Sequence, residues 1–340
     1  MSELARKFKA DRTETILSFV WQQWSRIGGG AAGGRDGDRF VDPEPLLLLT
    51  LEVARQDPRM FDSALDWLIV NGRWLNVVRL TALSEKDKVC DSRILGAVAA
   101  IMTQHDRTPK WKALARRYKP DSIGDLAPLF NKNGKPMLVD VAESDPIFAS
   151  YGFLRGRFTQ RSLATSVLTP DKHKWSASEF MFRSRALFGV NIRADVFSYL
   201  ALRRAANPTR IARELGYSQR RVQDALVDMA ASGVFKARTV GKSKEYVFNA
   251  GVGWGGIMGG IMGGDKTSVE WRDWRALARA FSVIWRVVVA IKEELADEYI
   301  INAEEQAAFR EARDDLIAAE PGWNGSLKET FVPRESDAWT

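Results

Sequence analysis

Cysteine and histidine are nearly absent from this chain of 340 residues, which has one Cys and two His. The lone thiol, Cys90, can close no internal disulfide. With His105 and His173 it offers no ligand set for a structural zinc, which takes four Cys or His in close spacing. No metal and no cofactor are therefore expected. Long apolar runs are missing too. Neither residues 46–51 nor residues 281–291, the latter interrupted by Arg286, approach the ~20 residues that span a bilayer. The charged start MSELARKFKADRTE lacks the apolar core of a secretory signal. The expectation is a cytoplasmic protein with no membrane segment. What is present is ordinary for a globular chain: 45% hydrophobic and 27% charged residues. That composition excludes collagen-like and wholly disordered classes, and the length suits two or three folded units.

The formal net charge of +7 is unevenly placed. Residues 1–149 carry 22 Lys and Arg against 20 Asp and Glu, whereas residues 150–250 carry 18 against 7. Residues 251–340 carry 10 against 16, so the middle segment, at +11, holds more than the whole excess. Concentrated positive charge attracts polyanions at long range and gains from counterion release.

Periodicity predicts a mainly α protein. Residues 1–118 read as a helical N-terminal domain, with helices over 11–27, from Pro43, from Pro58 to an Asn71-Gly72 stop, over 92–103 and over 110–118. A glycine-rich loop at 28–39 interrupts it. Residues 119–182 hold Pro120, Pro128, Pro136, Pro146 and Pro170 and read as a loop-rich connector. Residues 183–250 form the basic unit, 251–268 a glycine-rich joint, 269–320 two C-terminal helices, and 321–340 a tail of poorly ordered composition.

Within the basic unit, residues 192–205 place Val196, Phe197, Leu200 and Ala201 on one helical side. Asn207-Pro208 then starts a second helix, TRIARELG, with Ile211, Ala212 and Leu215 buried and Gly216 as its stop. Ser218 is placed as N-cap of a third helix, 219–232, whose apolar stripe is Val222, Ala225, Leu226 and Met229. Two strand-like runs, 234–240 and 245–249, follow around Gly241-Lys242-Ser243-Lys244.

The segments ALFGVNIRADVFSYLAL, IARELGYSQRRVQDALVDMAASGVF and GKSKEYVF resemble the arsenic-repressor-type winged helix of bacterial regulators. There, a Leu-Phe-Gly-x-x-x-Arg pattern opens the first helix and Ile-Ala-Arg-Glu-Leu-Gly-x-Ser precedes the recognition helix. The resemblance covers residues 186–250, about a fifth of the chain. It implies sequence-specific binding of double-stranded DNA by a transcriptional regulator.

On a helical wheel with Val222 inward, Arg220, Gln223, Asp224 and Val227 point away from the core and Gln219 and Arg221 flank them. Recognition helices read bases from their N-terminal half. Arg220 suits guanine, Gln223 adenine and Asp224 cytosine, with Gln219 beside them. An intrahelical ion pair with Arg220 or Arg221 is the equal alternative for Asp224. Thr209, Arg210, Arg213, Ser218 and Arg221 are expected on backbone phosphates, with Arg238, Lys242 and Lys244 on the wing. Tyr217 either touches phosphate or packs the turn, packing being favoured.

Other signals are weaker. Gly251-Val252-Gly253-Trp254-Gly255-Gly256 satisfies G-x-G-x-x-G, but more glycine follows where a dinucleotide site needs a helix. The paired carboxylates of a nucleotidyltransferase are missing after residue 249, so no enzyme is expected; a nucleotide-acting enzyme is the least favoured alternative. Trp271, Trp274, Phe281, Trp285 and Val288 follow a heptad-like 3-4 spacing. They are expected either to form a homodimer seam or to pack on the chain's own N-terminal domain. Helices 60–71 and 75–83 could form a second helix-turn-helix, but their surroundings are acidic, and a structural or protein-binding module is favoured. A different class of function remains beside DNA reading: a protein-interaction subunit of a larger defence or mobile-element complex, with the winged helix as scaffold.

Overall fold

The computed structural model describes residues 3–29, 40–106, 108–132, 135–168, 177–241, 243–249, 271–291 and 298–319. The protein is mainly α, with a few short strands. Helix α1 (Glu3–Arg26) is followed by α2 (Pro43–Val53), α3 (Pro58–Asn71), α4 (Val77–Asp87), α5 (Ser92–His105) and α6 (Pro109–Arg117). Proline occupies the first turn of α2, α3 and α6, where its missing N–H has no helical partner to lose. Asp57, Asn76 and Asp91 cap α3, α4 and α5 by accepting from first-turn amides.

The connector folds into short pieces. Strand β1 (Ala127–Pro128) pairs in parallel with β4 (Phe153–Leu154), and β2 (Asn131–Lys132) pairs with β3 (Lys135–Pro136). A four-residue helix, α7 (Pro146–Ala149), lies between β3 and β4. Its expected end at residue 182 does not hold. Helix α8 (Phe180–Phe188) runs through that point and buries Met181, Phe182 and Arg185.

The basic unit follows in the order α9 (Ile192–Arg203), β5 (Ala205–Ala206), α10 (Pro208–Leu215), α11 (Gln219–Ala231), β6 (Phe235–Val240) and β7 (Ser243–Phe248). The strands make one antiparallel sheet in the order β5-β7-β6. Strand β5 has no signal in the sequence; two alanines are too short for a period. The hairpin is tighter than expected. Val240 pairs with Ser243, so Lys244 stands in β7 opposite Thr239 rather than in the loop. Gly241 opens the turn at φ +58°, a conformation that glycine adopts without strain.

Two C-terminal helices close the described structure: α12 (Trp274–Ala290) and α13 (Glu298–Ala319). The first begins at Trp274, inside the 269–320 span expected for the pair. It ends at Ile291, whose ψ of 118° leaves the helical region, after the run Val287-Val288-Val289. Stacked β-branched residues are weak helix formers. Both glycine-rich segments expected as loop and joint, and the tail, lie largely or wholly outside the described residues. One apolar core runs from α1 through α12 without a break.

Candidate nucleic-acid interface

Helix α10 begins at Asn207, whose side chain accepts from Arg210 N, and ends at Gly216 in the left-handed region, φ +79°. A Cβ at Gly216 would stand 2.4 Å from Leu83 of α4, so the turn into α11 needs glycine both for its backbone angle and for that approach. Tyr217 packs inside the turn, as favoured. Its hydroxyl donates to Asp195 Oδ2 at 2.6 Å and accepts from Asn76 Nδ2 at 2.7 Å.

Helix α11 then buries Val222, Ala225, Leu226 and Met229 and leaves Gln219, Arg220, Arg221, Asp224 and Val227 exposed. Arg220 and Asp224 have no partner among the described residues, so the ion pair considered for Asp224 does not form. Arg221 lies 5.9 Å from the Tyr217 ring. Two expectations change here. Ser218 occupies the N-cap position and is exposed, but its side chain makes no capping bond. The first-turn amides of α11 thus have no side-chain acceptor and remain open to an incoming one. Gln223 is half-buried rather than turned outward, because its Nε2 donates to Tyr246 Oη of β7 at 2.9 Å. Its carbonyl oxygen and the second Nε2 hydrogen are what it has left for a base.

The flanking bases divide into free and paired. Thr209 and Lys244 are exposed, the ammonium lying 5.5 Å from the Tyr246 ring. Arg238 is tied across the hairpin to Glu245 at 3.0 Å. Arg210 and Arg213 both face the buried Glu214, at 2.8 and 3.7 Å, while keeping about half of their side chains exposed. Lys242 lies outside the described residues.

The heptad-like stripe of α12 is not a surface. Trp271, Trp274, Phe281, Trp285 and Val288 are all buried against the same chain. Trp271 meets Phe40 and Tyr199, each at 4.7 Å; Phe281 stacks on Phe19 at 4.8 Å; and Trp274 Nε1 donates to Phe40 O. The dimer seam expected there is therefore corrected: large indoles fill the irregular gaps between α1, α2 and α10 that a narrow two-stranded seam would not offer.

Beneath the turn lies a cluster that the sequence reading missed. Arg79 of α4 binds Asp42 and Glu44, and its Nε donates to Leu215 O at the end of α10. Arg185 of α8 binds Glu44 at 2.8 Å and Asp195 of α9 at 2.9 Å. Asn76 donates to Asp195 and Tyr217 and caps α4. The side chains of Asp42, Glu44, Arg79, Arg185 and Asp195 are essentially inaccessible to water. Three carboxylates face two guanidiniums, leaving one surplus negative charge. The protonation directions fit that surplus. Burial raises Glu44 more than Arg185 and Arg79 lower it, whereas Asp195, although also desolvated, is held low by Arg185 and Arg79. Burial, reinforced by Asp195, raises Tyr217 well above the usual phenol value, so it stays a neutral donor. A faint signal existed: Arg79 shares a helix face with Leu83, and Asp195 with Tyr199, each four residues on.

Burial likewise raises the Cys90 thiol, which makes it a poor nucleophile. Among the described residues no three His, Cys, Asp or Glu side chains are placed to hold a metal ion. Comparison with known protein families, curated proteins and solved structures returned no match.

Proposed function

We propose that residues 192–249 are a winged helix-turn-helix unit and that the chain is a sequence-specific double-stranded-DNA-binding protein, acting in transcription regulation. Helix α11 is the reader and the β6–β7 hairpin the wing. The observation that carries this reading is the open N-terminal half of α11: Gln219, Arg220, Arg221 and Asp224 exposed beside a basic hairpin, above a fully apolar inner stripe. Arg220 supplies a bidentate donor for guanine, Asp224 an acceptor for cytosine N4, and the uncapped first-turn amides a seat for a phosphate. Two copies on an inverted repeat would pair through a surface other than α12.

Selection from random duplexes followed by titration tests the proposal. Arg220→Ala is expected to lower the preference for selected over random duplex by about 1–3 kcal/mol, roughly 5- to 150-fold, at one base pair. Equal losses on both duplexes would remove Arg220 as a base reader.

One observation favours the other class, a protein-interaction scaffold. Arg193, Arg210 and Arg238 are each matched by an acid, which reduces the field the unit presents. Affinity for duplex that is flat in salt would decide for the scaffold, since phosphate neutralisation makes binding fall steeply.

A further inference from the structure

The near-neutral total of residues 1–149 conceals a second basic segment. Residues 107–119 contain six Lys and Arg and no Asp or Glu. Helix α6 occupies most of it and buries Trp111, Leu114 and Ala115. That inner face turns Lys112 and Arg116, one helical turn apart, outward together. Both are exposed and make no ion pair among the described residues. Arg117, on the same outer side, pairs with Glu85 of α4. The neighbouring Lys86 reaches the other way, and its Nζ donates to Gly216 O at 2.9 Å, in the turn that leads into α11. Lys88, exposed, follows at the end of α4.

We infer that this is one surface: a basic strip that starts at the N-terminus of α11, crosses the end of α4 and continues onto α6, and that binds the sugar-phosphate backbone of duplex DNA flanking the site read by α11. The inference rests on the DNA-binding reading and extends it, because a part of the chain outside the winged unit now holds DNA. Three facts support a single surface. Hydrogen bonds and an ion pair link its three segments in order. The buried Arg79–Glu44–Arg185–Asp195 cluster fastens α4 to α8, α9 and the end of α10, so the strip and the reader keep fixed relative positions. Lys88, Lys112 and Arg116 are exposed with neither acid nor ring against them among the described residues, as suits phosphate contact rather than stacking on unpaired bases, whereas Lys110 is held by Asp106 and Lys119 lies 4.6 Å from the Tyr151 ring. The Glu85 charge is neutralised by Arg117, and Asp87 is engaged by Arg275 and Arg279. At 8–10 Å between neighbouring helices, α6 lies about 20 Å from the start of α11, or roughly six base pairs along a duplex.

The experiment compares the full chain with Lys112→Ala/Arg116→Ala and, separately, with Arg220→Ala, on the selected duplex and on random duplex. Salt dependence and hydroxyl-radical footprints are recorded for each. For the double variant the salt slope is expected to fall by about two, equally on both duplexes. Protection should retreat by roughly six base pairs on one flank only, with sequence preference unchanged. If slope and footprint stay as in the unmodified chain while Arg220→Ala loses preference, the strip is not a DNA surface and the reading of α11 stands. If the unmodified chain shows no salt-dependent affinity for duplex, the DNA reading itself fails. Preference for single-stranded RNA that disappears with Lys112 and Arg116 would overturn the duplex assignment of the strip.

Discussion

Helices α3–α4 and α10–α11 are both helix pairs joined by a short turn, and both carry arginine on the second helix, yet they use it in opposite ways. In α4 the guanidinium of Arg79 turns inward, is wholly buried, and is held by Asp42, Glu44 and a backbone carbonyl. In α11 Arg220 turns outward with no partner. The difference follows from what each helix rests on. Helix α4 is packed against α2, α6 and the α10–α11 turn, so a cation buried within it must meet acids there, which Asp42 and Glu44 at the start of α2 supply. Helix α11 is covered on one side only, by α9, α10 and the sheet. A helix-turn-helix outline in sequence is therefore not evidence of a reader; which side of the second helix stays uncovered is.

The largest expected effect comes from breaking the inward case. Arg79→Ala leaves Asp42 and Glu44 buried without their cation, and removal of one partner from a buried ionic cluster costs about 3–5 kcal/mol. Urea unfolding followed by tryptophan fluorescence should show the midpoint falling accordingly. Arg220→Ala should unfold within about 0.5 kcal/mol of the unmodified chain, as exposed substitutions do. Similar stabilities for the two variants would erase the contrast. Trp285→Ala sharpens it from a third side, since α12 packs on both α2 and α10. Truncating a buried indole costs about 3–5 kcal/mol. The mass in sedimentation should not change, because Trp285 is already buried within its own chain; a shift from dimer to monomer would restore the seam expected from the 3-4 spacing.

Much of this architecture is legible in the sequence because it rests on local signals. Proline and glycine mark the ends of α2, α3 and α10, and a clean apolar stripe fixes the inner side of α11. The candidate surface was legible to the same depth: Gln219, Arg220, Arg221 and Asp224 are exposed as the wheel requires. What periodicity cannot reveal is the identity of a neighbour. Gln223 falls on the outer side of the wheel, but the Tyr246 hydroxyl, 23 residues away, captures its amide. The α12 stripe gives the same pattern whether a second copy or α1 and α2 cover it. The Arg79–Glu44–Arg185–Asp195 cluster joins residues up to 141 positions apart, and no window of sequence contains it. The basic strip on α6 escaped because its charge is averaged away over a long, balanced segment.

A pH-dependent effect probes how tightly α12 is tied to α10, the helix that leads into α11. Asp273 caps α12 by accepting from Ala276 N at 3.0 Å, and it is buried beside α10. Burial, with the Glu214 carboxylate nearby, pushes its pKa up from 3.8 to about 7, although the Ala276 amide, Arg279 and Arg275 pull the other way. The folded chain thus holds a proton that the unfolded chain has released between about pH 4 and pH 7. Stability conferred by that proton is complete below the lower value and declines as pH rises through the window. Asp273→Asn keeps an oxygen to cap the helix and removes the charge, and asparagine caps as well as aspartate. The variant should match the unmodified chain near pH 4 and exceed it at pH 8 by up to about 4 kcal/mol in thermal unfolding. The difference between the two curves isolates this carboxyl from every other titrating group. An unmodified chain that is the more stable of the two at pH 8 would mean that Asp273 is ionised at little cost and that Arg275 and Arg279, not burial, set its state.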